Sequence, residues 1–248
     1  MQIPNLQIYK LGICTLTGRG MRFLYWFSII ISTMKAYSGD LDLWEERLNS
    51  GTHILGILFG LVSMPILILN ACDKAGLTVI TGISVYGASF LMTFVCSTLF
   101  HFQKEGRARY LWKKLDHISI YYMIAGTYTP FILIFVNNSF GMTLLCVLWG
   151  LTLLGTVFKT FCTGKFEIIS TLIYLAMGWM LLVGGEAFFA NMPYNIAWLI
   201  VAGGILYSLG VIFYLWRLFT YHHAVWHLFV LSGAICHYSA ILMSVDCV

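Results

Sequence analysis

Charge is what this sequence has least of. Only 10% of its 248 residues are Asp, Glu, Lys or Arg, while 60% are apolar. A water-soluble domain carries about 25% charged residues, so too little polar surface is left to cover a globule. Paired cysteines are missing as well. The cysteines at 14, 72, 96, 146, 162, 236 and 247 are odd in number and contain no CxxC pair. They give neither a disulfide framework nor a cysteine zinc motif, and most lie in apolar runs, where cysteine behaves as a small buried hydrophobe. No basic cluster interleaved with aromatics stands outside those runs, so nucleic-acid binding has no support. No internal repeat is visible, which leaves the inverted-repeat architecture of many transporters without a footing.

What the chain does have is long apolar runs. Seven of them, at 53–72, 77–102, 115–136, 140–161, 168–190, 194–217 and 222–246, suit the ~20 helical residues that cross the hydrocarbon of a bilayer. Their continuous apolarity does not fit the alternation of barrel strands. Short hydrophilic breaks such as Asp73–Gly76, Asn137–Ser139 and Asn191–Tyr194 separate them. Glycine and serine inside the runs (Gly82, Gly87, Gly203, Gly204, Ser208) allow close helix contact. The expected fold is therefore all-α: a polytopic seven-transmembrane-helix bundle, multi-pass in the cell membrane.

The few cations set the orientation. Lys10, Arg19, Arg22, Lys35 and Arg47 precede the first run. Lys104, Arg107, Arg109, Lys113 and Lys114 lie between the second and third, Lys159 and Lys165 between the fourth and fifth, and Arg217 ends the sixth. Only Lys74, of the 14 Lys and Arg, falls on the other side. The positive-inside rule then predicts the N-terminus inside and the C-terminus outside. Residues 1–40 form a separate extension before the domain at 41–248. Its apolar run Phe23–Ile31 is too short to span, and no convincing cleavage site follows it. It is either dispensable or an interfacial anchor, with Tyr25 and Trp26 at headgroup level and Arg22 and Lys35 beside phosphates.

This topology brings distant polar residues to one depth. His101 ends the second run, Asp116 begins the third, and His223 and His227 open the seventh. The last two are four residues apart and share a helix face. Ser97 precedes His101 by four and lies within about 40° of it around the helix. Ionisable side chains within spans are costly and by default mark function. Three neutral imidazoles leave one position of a tetrahedral zinc open for water, the arrangement of a catalytic site. Asp116 is expected to orient that water or act as general base, or else to ligate zinc in place of one histidine. Ser97 is expected to bond the water or the substrate oxyanion.

Other polar residues have weaker claims. Glu46, Asn49 and His53, at i, i+3 and i+7, form one stripe entering the first span. They are either a solvated helix start or a lid or outer layer of the site. His237, about 15 Å beyond His227 along the helix, fits that outer layer less well than a buried hydrogen-bonding role. Glu186 is expected at the external mouth. Tyr121, Tyr128, Trp179 and Trp198 are read as packing or aromatic-belt residues.

Several segments carry a resemblance. They are Glu45-Glu-Arg-Leu-Asn-Ser-Gly-Thr-His53, Ser97-Thr-Leu-Phe-His101, Leu115-Asp-His-Ile-Ser-Ile-Tyr-Tyr-Met-Ile-Ala-Gly-Thr-Tyr-Thr-Pro130, Ser170-Thr-Leu-Ile-Tyr-Leu-Ala-Met-Gly-Trp179, Gly203-Gly-Ile-Leu-Tyr207 and His223-Ala-Val-Trp-His227. In this order they resemble the bacterial hemolysin III family, of the progestin and adipoQ receptor superfamily. The resemblance implies seven spans with the N-terminus inside and an intramembrane zinc on His101, His223 and His227. Asp116 and Ser97 would match the acid and serine of the family site. It further implies kinship with ceramidase-like, metal-dependent membrane hydrolases acting on a lipid amide or ester. A receptor-like regulator of membrane homeostasis with structural zinc is the alternative, and a membrane-damaging hemolysin is another. Phe100 departs from the tyrosine common at that position, and residues 1–40 lie outside the resemblance.

Overall fold

The computed structural model describes residues 18–216 and 220–248, with side chains from Leu43 onward except Ala187. Lys10 and Arg217, counted above among the orienting cations, lie outside the described residues, as do the side chains of Phe23–Ile31. The chain divides into two compact units, Met1–Trp44 and Glu45–Val248. The described part of the first unit is helical backbone. The second unit is all-helical among its described residues and carries seven helices long and apolar enough to cross a membrane. Helix is what such sequences must form, because hydrocarbon offers no partner to a backbone N–H or C=O and a helix satisfies them within the segment.

The helices run α1 (Gly18–Lys74), α2 (Leu77–Phe102), α3 (Arg107–Phe135), α4 (Ser139–Cys162), α5 (Glu167–Gly178), α6 (Leu181–Phe189), α7 (Tyr194–Leu215) and α8 (His222–Ser244). Their ends follow local chemistry. Asn138 caps α4 by accepting from the Gly141 N–H at 3.0 Å, and the turn into α3 passes through Gly106 at φ +131°, a conformation open mainly to glycine.

Three boundaries differ from expectation, the first being the start of span one at Leu43 rather than 53. The third span begins at Arg107 rather than 115, because a helix does not end where its side chains become charged. Arg107, Arg109, Lys113 and Lys114 occupy its first two turns. The fifth span, Glu167–Glu186, is broken into α5 and α6. At the break the i−4 ladder gives way to i−3 bonds, Leu182 N–H to Trp179 O and Val183 N–H to Met180 O, both at 3.0 Å. The groups released are taken up by one side chain: the Tyr128 hydroxyl accepts from the Leu181 N–H (2.9 Å) and donates to the Gly178 carbonyl (2.7 Å). Such substitution is what makes an interrupted helix tolerable in lipid. Tyr128, expected only to pack, is the stitch of this break. Trp179 likewise bonds, from Nε1 to Ser208 Oγ on α7 at 2.9 Å.

Span three is the axis of the bundle. Its apolar window is 72% buried, against 22% for spans five and six, and it packs on α2, α4, α5 and α8. The core around it includes Tyr86, Phe90, Phe94, Tyr121, Phe131 and Leu148, each at most 2% exposed. Helix α7 pairs with α8. Helix α1 leans on α2 where Gly56 meets the Phe94 ring, so closely that a β-carbon there would overlap the ring. This approach brings His53, one turn earlier on α1, against both Phe94 (ring centroids 5.0 Å) and α8. The aliphatic side chains left exposed, such as Leu58, Leu61, Val62, Leu154 and Val183, form the surface that lipid covers.

Candidate metal centre

His101 sits in the last turn of α2, and His223 and His227 in the first two turns of α8, all at one end of the bundle. Their candidate ligand atoms lie within 4.8 Å of one another. The His101 and His227 Nε2 atoms are 3.1 Å apart. The His223 ring centroid is 4.4 Å from that of His227 and 5.3 Å from that of His101. Tetrahedral ligands about 2.0–2.1 Å from zinc are about 3.3 Å from each other, so three imidazoles at this spacing can hold a metal ion.

The far nitrogens of two rings are also occupied. His101 Nδ1 lies 2.6 Å from Glu46 Oε2, and His227 Nδ1 meets His53 Nε2. With Nδ1 held from outside, both rings turn Nε2 inward, free to serve as metal ligands through that nitrogen. This donor set fits zinc. His101 and His227 are 6% and 3% exposed, whereas His223 is only partly buried, which suits a centre reached from one side.

Asp116, near the start of the membrane-embedded part of α3, is partly buried and within electrostatic reach of His101 and the Ser97 hydroxyl. Ser97 is 1% exposed, and its Oγ approaches that carboxylate without completing a hydrogen bond. A buried hydroxyl so placed is costly unless it meets a further partner.

The stripe expected on α1 is partly gathered to the site. Glu46 and His53 touch its histidines. Asn49, 3% exposed, lies between them with Oδ1 buried and unpartnered. His237 is not brought there: its Nε2 meets the Ile200 carbonyl at 3.1 Å and its ring faces Tyr207 at 5.5 Å, so it ties α8 to α7. Its place in the outer layer of the site is withdrawn, since about 15 Å of helix separates it from His227.

Sequence reasoning missed Arg109. It reads as one of five cations in a loop, yet its Nη2 pairs with Glu46 Oε1. Its Nη1 donates to Gln103 O at 2.6 Å and more weakly to Phe100 O at 3.5 Å. The guanidinium also lies 4.6 Å from the Phe100 ring centroid. No spacing in the sequence separates it from Arg107, which is exposed.

The arrangement defines a class: a polytopic helical membrane protein with a histidine cluster buried at one end of its bundle. Comparison then gives the family. The pattern of the family described as Haemolysin-III related matches residues 41–238. Hemolysin-3 of Bacillus cereus is 39% identical over 201 residues, covering 81% of this chain and 92% of that protein. The Hemolysin-3 homolog of Bacillus subtilis (strain 168) is 37% identical, covering 80% and 93%. The human Monocyte to macrophage differentiation factor is 28% identical over 165 residues, covering 63% and 67%. The chain belongs to the haemolysin-III-related family and is a multi-pass integral membrane protein of bacterial type.

Proposed function

We propose that this protein is a zinc-dependent hydrolase of an amide or ester bond in a membrane lipid, with its histidine end on the cytoplasmic side. The observation that carries the reading is the meeting of three clustered imidazoles with a carboxylate and an unsatisfied hydroxyl. A purely structural zinc site is closed by four protein ligands, whereas three leave a coordination position open. When bound, zinc would supply Lewis acidity and lower the pKa of water toward neutrality. Asp116 would take a proton from the attacking water and return it to the leaving group. Ser97 would donate its hydroxyl hydrogen to the carbonyl oxygen as negative charge builds there. The lipid-covered flanks of the bundle suit a substrate that enters sideways from the leaflet.

A second reading has its own support. Contacts joining α1, α2 and α8 at the cluster are what a structural staple would use, and a receptor-like regulator would need no turnover. The name of the Bacillus relatives attaches haemolysis to those proteins. For this chain that reading ranks last, since seven apolar spans leave no water-soluble form that could attack a membrane.

Metal analysis of the purified protein, followed by lipid-hydrolysis assays of wild type and Asp116→Asn, separates these readings. Zinc near one per chain in both proteins, with turnover lost at least 100-fold in the variant, is expected. Zinc in both with no turnover in either would replace the enzyme by the regulator.

A further inference from the structure

We propose that the first span is the clasp of the metal centre: Glu46, locked by Arg109, and His53 are positioning residues that fix His101 and His227 for ligation. The proposal rests on the metal reading given above and concerns residues beyond its three ligands.

A histidine that binds a metal through one nitrogen carries its hydrogen on the other, and a good acceptor there fixes tautomer and ring orientation. An ionised carboxylate only accepts. Glu46 Oε2, 2.6 Å from His101 Nδ1, therefore places the hydrogen on Nδ1 and the lone pair on Nε2, facing His227. Glu46 is itself 31% exposed and long enough to turn away, so its grip depends on Arg109. That guanidinium holds the second carboxylate oxygen and anchors itself on the carbonyls of Gln103, just after α2, and Phe100, in its last turn. The planar fork reaches carboxylate and carbonyls together, which the single ammonium of lysine cannot copy.

His53 plays the matching part for His227. With hydrogen on His227 Nδ1, His53 accepts through Nε2 and keeps its own hydrogen on Nδ1. That Nδ1 is buried without a partner, and so is Asn49 Oδ1, one helical turn earlier on the same stripe. Rotation of the Asn49 side chain would close the chain Asn49–His53–His227. The spacing 46, 49, 53 thus presents one acceptor to each of two ligands and a third residue behind them, all from one helix face.

The test uses the full chain in detergent, stripped of metal and reloaded with zinc or cobalt. Affinity is measured by chelator competition, and ligand geometry by the visible spectrum of the cobalt form. Glu46→Gln and His53→Phe are each expected to weaken binding 10–100-fold at unchanged stoichiometry and to shift the cobalt bands. Arg109→Lys is expected to weaken it less, and Glu46→Gln/Arg109→Lys no further than Glu46→Gln alone, because Arg109 acts through Glu46. If Glu46→Gln fails to fold, as judged by gel filtration and helicity, Arg109→Lys carries the test with a loss of at least threefold. Affinities within twofold of wild type in the folded variants, while His227→Ala loses the metal, overturn the clasp and leave the centre standing. A wild type that binds no more metal than His227→Ala overturns the centre itself.

Discussion

At the histidine end of the bundle, four imidazoles, two carboxylates, a guanidinium and a buried serine crowd between α1, α2, α3 and α8. At the opposite end, the described residues offer one ion pair, Lys74 Nζ to Asp246 Oδ1 at 2.5 Å, with side chains 43% and 65% exposed. The first set is largely withdrawn from water, and the second is not. Withdrawal costs several kcal/mol for each uncompensated charge, so a fold carries such a set only where the groups satisfy one another or a ligand. The opposite end needs no such compensation, and its pair is one that solvent already stabilises. The contrast separates groups that need one another or a ligand from groups that merely border the membrane.

The largest expected effect asks which end faces the cytoplasm. A reporter fused after Val248, beside Asp246, should read external, and one inserted near Arg107 should read cytoplasmic. The order of spans and cations in the sequence, which assigns 13 of the 14 Lys and Arg to one side of the membrane, motivates this. The reverse result would move the proposed site to the outer leaflet and to a different lipid pool.

Next in size is the metal itself. The double variant His223→Ala/His227→Ala should lose bound zinc outright, since one remaining histidine cannot replace three. His237→Ala should keep it, because that ring bonds the Ile200 carbonyl. Zinc at one per chain in the double variant would erase the distinction drawn between the two ends. Acid should act like the double variant, because a protonated imidazole has no lone pair left for a metal. The metal should therefore leave as pH falls and return as it rises.

Much of this was legible in the chain. The spans could be read because hydrocarbon allows few solutions, and the depth of His101, Asp116, His223 and His227 followed once the spans were counted. Partners across the bundle were harder. Nothing local says that Tyr128 sits beside a break fifty residues away, or that Arg109 rather than Arg107 reaches Glu46. Those facts depend on rotation of one helix about its axis relative to another, which apolar runs this uniform leave undetermined. His237 shows the same limit from the other side: its depth could be read from spacing, but its carbonyl partner on α7 could not.

The smallest expected effect is at the opposite end. Lys74→Ala removes the only ion pair described there, yet exposed pairs contribute about 0–1 kcal/mol, because water screens them and two flexible side chains must be ordered. The pair also joins the end of α1 to the 3-10 turn after α8, Val245–Cys247, where the buried Val245 rather than the two exposed charges holds the turn to the core. Melting of the purified protein should shift by no more than a few degrees, and zinc content should not change. The shift should also shrink as salt is raised, since screening acts on exposed charges first. A loss of zinc in Lys74→Ala would mean that the two ends are mechanically coupled along α1 and α8. The contrast between a functional end and an indifferent one would then give way to a single bundle-long device.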